Sequence, residues 1–291
     1  MIVTLPYKFT PREYQLSFLR AMDEGNRRAV IVWHRKSGKE KVCWNLMIKK
    51  AYERVGNYWY IFPKLTQARK VIWEGVDQDG LRFLDHVPVE IRDGEPNSTI
   101  MFVRLTNGST VQMIGGDTFD ASVGGNPIGV VLSEYGINDP GMWGFVRPIL
   151  ANNGGWCVFN FTPRGENHGF AIYKLAKAEQ EGGSKEWYCQ LLTVDDTKAV
   201  SQEVLDQERK EIIALDGNDA MFKQEYLCFP PWSMVSLHDT VKPISEVKAG
   251  DIVVTHTGRM RLVKGVMIRE YDGDLVAVKS FGGFEIQSTP E

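Results

Sequence analysis

The first residues whose types and spacing could do chemistry lie in a short polar loop. In IVWHRKSGKEKVCWNLMIKKA an apolar run gives way to His34, Arg35, Lys36, Ser37, Gly38, Lys39 and Glu40, and a helix-like run follows. A lysine that opens a helix directly after a strand is the layout of a nucleotide-phosphate cradle. Backbone N–H groups and the positive end of the helix meet the phosphates, and the lysine reaches the terminal ones. The usual pattern GxxxxGK[ST] fails at both ends. Trp33 stands where its first Gly would be, and Glu40 follows Lys39 in place of Ser or Thr. On pattern alone, a solvated basic helix start fits equally well. Two further strand ends bear on the same chemistry. GVVLSEYGI (129–137) ends an apolar strand in Glu134, placed to orient or activate a water attacking Mg·ATP. Its first acidic position is occupied by Ser133, and a strand-end Glu capping the next helix is the plainer alternative. WCVFNFTPRG ends in Thr162, Pro163, Arg164 and Gly165. Polar residues at the ends of neighbouring parallel strands converge on the crevice where open α/β sheets bind ligands; a simple turn is the alternative.

These residues need a scaffold, and the chain offers one. Up to about residue 230, apolar strand-like runs alternate with helix-like runs. Strands are expected at 29–34, 58–63, 99–105, 110–116, 129–135, 156–163 and 189–194. Helices are expected at 12–23, 38–55, 66–75, 168–180 and 201–215. Continuous apolar runs rich in β-branched and aromatic residues suit strands buried on both faces, and alternation with helices argues for an α/β sheet. The runs 99–105 and 110–116, joined by TNGS, read as a hairpin with a type I′ Asn-Gly turn. The Gly-rich loop GGDTFDASVGGNP (115–127) has two Asp and no cation, and its chemistry is not assigned. Asp195 and Asp196 read as a turn with an Asp helix cap.

Composition bounds the rest. The chain has 291 residues, 43% hydrophobic and 24% charged, as for an ordinary globular protein of one large or two smaller domains. This excludes a disordered tail, a collagen-like fibre and a disulfide miniprotein. Lys and Arg total 34 against 37 Asp and Glu, so no strong basic field marks the whole chain for nucleic acid. Cys43, Cys157, Cys189 and Cys228 form no CxxC pair and read as reduced thiols. No apolar run reaches the length of a membrane span, and the N-terminus lacks the signature of a signal peptide.

Taken together, WHRKSGKEKVCWNLMIKKAYERVGNYWYIFPKLTQARKVIWEGVDQDG, SEYGINDPGMWGFVRPILANNGGW, FTPRGENHGFAIYKLA and FKQEYLC resemble the ATPase domain of a tailed-phage terminase large subunit, over about residues 5–228 in order. The resemblance implies an α/β P-loop (ASCE/RecA-like) ATPase fold for residues 1–230, with the catalytic Glu on a strand next to the P-loop strand. It implies a DNA-packaging motor that couples ATP hydrolysis to translocation of double-stranded DNA. Carried over residue by residue, His34 to Lys39 form the phosphate loop, with Lys39 on the β- and γ-phosphates, and Glu134 is the catalytic carboxylate. Thr162 and Pro163 resemble the coupling motif, and Gln15 resembles an adenine-reading glutamine. Arg35 is the first candidate for a charge stabiliser in cis, with Arg164 behind it and Arg147 structural. Glu40 and Ser133 depart from the usual Mg²⁺-binding hydroxyl and aspartate; Glu40 can offer its carboxylate directly or through water. The cofactors implied are ATP and Mg²⁺. The partners implied are double-stranded DNA, a portal protein, a small terminase subunit and further copies in a ring, in the cytoplasm of an infected or lysogenic bacterial host, without a membrane. The Asp-rich nuclease domain of the family is not found after FKQEYLC.

The character of the sequence changes at FPPWS (229–233). Beyond it come short strand-like runs (DIVVT, LVKGVMIREY, LVAVKSF, FEIQS) separated by HTGR, YDGD and FGGF, the pattern of an all-β module. DTVKPISEVKAGDIVVTHTGR, REYDGDLVAV and STPE resemble the N-terminal part of an intein, so residues 231–291 are expected to form a partial all-β Hint (intein) module. The resemblance implies an acyl shift onto a first-residue nucleophile, assisted by a Thr-x-x-His motif. Ser233 is favoured as nucleophile over Ser236 and Cys228, and Thr289 supplies the Thr. His238 and His256 read as turn histidines. The expectation is a packaging ATPase interrupted by an incomplete splicing element. The alternative is the N-terminal precursor of a split intein that splices in trans with a complementary fragment.

Overall fold

The computed structural model describes residues 3–118, 124–163, 167–216, 222, 226, 234–238, 241–243, 247–248, 250–254, 260–263, 276–279 and 285–288. The chain divides into two compact units: residues 1–162 with 167–192, and residues 163–166 with 193–291.

The first unit is built on seven strands: β1 (Arg28–Trp33), β2 (Asn57–Phe62), β3 (Phe102–Arg104), β4 (Thr110–Gly115), β5 (Pro127–Ser133), β6 (Trp156–Phe161) and β7 (Trp187–Leu192). Their order across the sheet is β3-β4-β2-β5-β6-β1-β7. All neighbours pair parallel except β3 with β4. The inner strands β1 and β5 are buried along their whole lengths, which is why they read as unbroken apolar runs. Helices α1 (Leu16–Asp23), α2 (Lys39–Glu53), α3 (Leu65–Ala68), α4 (Gly141–Asn153) and α5 (His168–Glu181) complete the unit. The core gathers Phe18, Trp33, Trp44, Leu46, Met47, Tyr58 and Tyr60, all essentially inaccessible to water.

Four details correct the sequence reading. First, β6 lies between β5 and β1, so the strand that ends at Glu134 is not beside the strand that feeds the phosphate loop. Second, the hairpin turn is not type I′. Gly108 alone has positive φ (+93°), Gly108 N–H donates to Leu105 O, and Leu105 N–H donates to Ser109 O. That is a turn followed by a left-handed glycine, the three-residue hairpin form. Asn107 is chosen for its side chain, which donates to Ala51 O and Tyr52 O and accepts from Ser109 N–H. Third, α4 was not foreseen. Its Gly and internal Pro148 obscure a helix that buries Met142, Val146 and Leu150 at four-residue spacing. Fourth, the helix expected at 66–75 widens into a π-turn over Arg69–Trp73.

Among its described residues the second unit contains α6 (Val194–Thr197), α7 (Gln202–Asp216) and the short strands β8 (Met234–Ser236), β9 (Val241–Pro243), β10 (Ile252–Val254), β11 (Met260–Leu262), β12 (Val276–Lys279) and β13 (Glu285–Ser288). These pair antiparallel as β8–β9, β10–β11 and β12–β13. The cap of α6 is Thr193, not an Asp. Its hydroxyl accepts from Asp196 N–H while the Asp196 carboxylate accepts from Thr193 N–H, a capping box. Val194, Leu205, Phe222 and Tyr226 form a small cluster there.

Candidate nucleotide site

The loop between β1 and α2 is shaped by two left-handed residues, Lys36 (φ 66°) and Gly38 (φ 77°). Gly38 is the position that requires glycine. A Cβ there would also lie 3.2 Å from Gln15 Nε2. The loop is braced from the N-terminal segment. Gln15 Nε2–H donates to Ser37 O (3.1 Å), Tyr14 O–H donates to the same carbonyl (2.8 Å), and Gln15 Oε1 accepts from Arg12 N–H (3.0 Å). Gln15 is buried, so these bonds fix it beneath the loop. His34 is fully buried and its Nδ1 lies 2.5 Å from Arg35 O. Arg35 and Lys36 are exposed. Ser37 is fully buried and its Oγ has no hydrogen-bond partner.

Lys39 opens α2 and turns into the site. Its Nζ donates to Thr162 Oγ1 at 3.1 Å and pairs with Glu134 Oε1 at 3.4 Å. Three separate elements thus meet at one ammonium: the start of α2, the end of β5 and the end of β6. Glu134 sits in the left-handed region (φ 47°, ψ 46°), a conformation disfavoured for a non-glycine residue. Its N–H reaches Asn160 Oδ1 on β6 at 3.4 Å. Buried Pro163 follows Thr162, and the division between the two compact units falls between them.

Glu40 lies one residue beyond Lys39 and is gripped at both oxygens. Ser133 O–H donates to Oε1 at 2.9 Å, and Tyr60 O–H, from β2, donates to Oε2 at 2.5 Å. Burial raises the Glu40 carboxyl above the ordinary glutamate range. The Lys39 charge and the Tyr60 and Ser133 hydrogen bonds pull against that rise, and the Glu134 charge adds to it. Burial also pushes the Tyr60 hydroxyl well above its ordinary range, with the Glu40 charge in support. Tyr60 was not singled out in the sequence. The available signal was a tyrosine within a wholly buried strand, whose hydroxyl must find a partner.

The structure therefore gathers Gln15, Ser37, Gly38, Lys39, Glu40, Ser133, Glu134 and Thr162 around one loop. Arg147 lies exposed on α4. Arg164, Cys228, Ser233, His256 and Thr289 lie outside the described residues. Of the splicing candidates, Ser236 falls in β8 and His238 is exposed. Cys43, Cys157 and Cys189 are buried free thiols. Among the described residues no three His, Cys, Asp or Glu side chains gather as a metal cluster, and no helix is long and apolar enough to cross a membrane.

No family model matches the chain. Among solved structures, the large terminase ATPase domain of Thermus phage P74-26 matches with a TM-score of 0.59 at 18% identity, over 78% of this chain and 99% of that one. The fold is that of a large terminase ATPase domain. The large terminase of a second, thermophilic bacteriophage gives 0.58 at 16% identity, over 77% of this chain and 55% of that one. The same protein in complex with ATP-gamma-S gives 0.56 at 15% identity. Among curated proteins, 65 residues are 37% identical to the ATP-dependent DNA helicase Hel308 of Thermococcus kodakarensis. Another 65-residue match, at 38%, is to an uncharacterized protein of Methanocaldococcus jannaschii. Each match takes in 22% of this chain, and only 6% and 8% of those relatives.

Proposed function

We propose that residues 1–230 are a DNA-packaging motor ATPase of the terminase large-subunit kind, coupling ATP hydrolysis to movement of double-stranded DNA. The observation that carries this reading is the convergence of Lys39, Glu134 and Thr162 beside a left-handed loop at a helix start. Solved neighbours of the same fold that hold ADP and ATP-gamma-S support nucleotide binding at this loop. Loop N–H groups of residues 34–39 and the positive end of α2 receive the phosphates. Lys39 leaves Glu134 and Thr162 for the β- and γ-phosphates. Glu134, released, accepts a proton from the attacking water. The water oxygen bonds to the γ-phosphorus as the bond to the bridging oxygen of ADP breaks, giving ADP and phosphate. Arg35 offsets charge on the transferring group, and Gln15, as the adenine-reading candidate, would have to exchange its bonds with Ser37 O and Arg12 N–H for bonds to the base. Thr162 and Pro163 pass the change onward from the site.

The donor set fits Mg²⁺. Glu40 and Ser133 bring hard oxygen donors to within hydrogen-bond distance of each other, and Mg²⁺ in such sites needs only one or two protein ligands beside the phosphates. Glu40 and Ser133 would hold the ion, which would offset the negative charge that develops on the transferred phosphoryl group. The motor's partners would be double-stranded DNA, a portal protein, a small terminase subunit and further copies in a ring, in the host cytoplasm. The test is phosphate release by the purified chain, with and without linear duplex DNA. Hydrolysis that Lys39→Ala abolishes is expected; turnover equal in the two proteins would end the reading.

For residues 231–291 we infer the N-terminal part of an intein, with Ser233 as first-residue nucleophile and Thr289 in the amide-polarising motif. The short antiparallel strand pairs agree with an all-β module. A split intein acting in trans is the variant of this reading. Sequencing the gene past the Glu291 codon decides it. A His codon and a Hint remainder ending His-Asn support an intein in cis. A stop codon with the remainder in a second frame supports the split form, and neither remainder anywhere would refute both.

A further inference from the structure

The phosphate-loop pattern places a hydroxyl after the lysine, and the acidic strand beside it supplies a carboxylate; the two together serve the metal ion of the bound nucleotide. This chain has both groups on the opposite elements. The carboxylate, Glu40, follows Lys39 on α2, and the hydroxyl, Ser133, precedes Glu134 at the end of β5. Taken singly, each is a departure that removes a donor. Taken together, they are an exchange, because Ser133 Oγ lies 2.9 Å from Glu40 Oε1. One hydroxyl and one carboxylate still meet at the same junction of helix and strand, with their hydrogen bond intact.

The exchange creates a geometric problem, and a third residue answers it. A glutamate carries one more rotatable bond than an aspartate and must be fixed before it can present an oxygen to a cation. Tyr60 supplies the fixing contact, donating its hydroxyl to Glu40 Oε2 from the middle of β2. Both carboxylate oxygens are therefore anchored, one by β5 and one by β2. The same loop holds a second polar group with no internal use: Ser37 Oγ is fully buried, three residues before Glu40, without a partner. A loop that folds around an unsatisfied hydroxyl and an anchored carboxylate is arranged for oxygen-rich cargo from outside the chain.

We propose that Glu40 and Ser133 are a reciprocally exchanged support pair for Mg²⁺, with the carboxylate on the helix and the hydroxyl on the strand, and that Tyr60 is the positioning residue that holds Glu40 in register. The inference rests on the nucleotide-binding reading above. It predicts that swapping the pair back restores function that either single change removes.

The test uses the full chain and two readouts other than turnover: affinity for a fluorescent ATP analogue in EDTA and in Mg²⁺, and Mn²⁺ binding in the presence of ADP by electron paramagnetic resonance. Glu40→Ser, which deletes the carboxylate, and Ser133→Ala, which deletes the hydroxyl that orients it, are each expected to weaken metal binding by about 10–100-fold, the usual effect of losing a ligand or its oriented partner. Affinity in EDTA should hold or rise, because neither change adds a charge beside the phosphates and Glu40→Ser removes one. The double variant, Glu40→Ser with Ser133→Asp, should recover metal binding to within about threefold. Tyr60→Phe, which keeps the ring and deletes only the hydroxyl, should weaken metal binding while sparing affinity in EDTA. Metal binding unmoved by Glu40→Ser, or a double variant no better than the worse single one, overturns the exchange and leaves nucleotide binding standing. A parent chain that binds the analogue in neither EDTA nor Mg²⁺ overturns both readings.

Discussion

Replacing Glu134 by Gln separates two roles that the structure gives one side chain. Glu134 is the counter-charge of Lys39, at 3.4 Å. At that distance and an effective dielectric of 20, the gross attraction is about 5 kcal/mol before desolvation and hydrogen-bond losses are subtracted. Both groups are partly shielded, with side-chain exposures of 10% and 21%, so the net value is a modest fraction of that figure. ATP must displace this contact to engage Lys39. Glu134→Gln removes the competing charge but keeps the shape and the bond that Lys39 Nζ donates to Thr162 Oγ1. Affinity for ATP should therefore hold or rise severalfold. The chemical step should fall by about 10²–10⁴, the range for loss of a positioned base, or about 3–5 kcal/mol of barrier. A fluorescent ATP analogue measures the first effect and single-turnover phosphate release the second. A variant that hydrolyses at the parental rate removes Glu134 from catalysis. A variant that loses ATP affinity more than tenfold shows that Glu134 holds the loop in shape rather than competing with the phosphates.

Three further outcomes follow from the packing and charges. Folded Glu40 holds its proton more tightly than the ordinary value of 4.5, because burial disfavours its charge, so the native state binds the extra proton above that pH. Stability of the metal-free protein should fall as pH rises from 4.5 toward neutrality, and Glu40→Gln should flatten that slope in urea melts run across the window. Asp77 is opposite in sign. Burial works to raise its carboxyl, but the bonds from Lys41 and from Leu81 and Asp79 N–H, with the Lys41 charge, prevail and hold it below 3.8. Its contribution is complete above that pH and lost as pH falls through the lowered native value; Asp77→Asn should cost about 1 kcal/mol at neutral pH and less at pH 3, read by thermal melts. Trp44 is fully buried and donates its Nε1–H to Phe83 O at 2.7 Å. Trp44→Ala should cost about 3–5 kcal/mol and lower Tm by roughly 10 °C, measured by calorimetry.

The scaffold was legible where burial acts on every residue of an element. β1, β2, β5 and β6 announce themselves because strands covered on both faces are apolar along most of their length. α4 was not legible, since propensity speaks against a helix carrying Gly144 and Pro148 while tertiary burial of Met142, Val146 and Leu150 sustains it. The hairpin turn was misread because Asn107 followed by Gly108 has two uses. The dipeptide favours a type I′ turn, but here the Asn amide is spent on the carbonyls that end α2. Within the site, the loop and the two strand ends were visible as spacing. The grip of Tyr60 on Glu40 was not, because no spacing rule shows that a hydroxyl on β2 meets a carboxylate at the start of α2.

The sheet order also explains why the site can work with its strands apart. Neighbouring strands lie about 4.8 Å from each other, so two steps separate β1 from β5 by roughly 10 Å. A short side chain at position 39 could not bridge that span to Glu134. Lys39 can: its ammonium reaches Thr162 at the end of β6 and Glu134 at the end of β5. The intervening strand is therefore part of the site and not a spacer. Any shift of β6 moves Thr162 against the one ammonium that also feels Glu134, and any nucleotide that draws Lys39 away breaks both contacts at once. A lysine held between the end of β5 and the end of β6 thus links the two strand ends through a single charge, and that link exists only because β6 lies between β5 and β1.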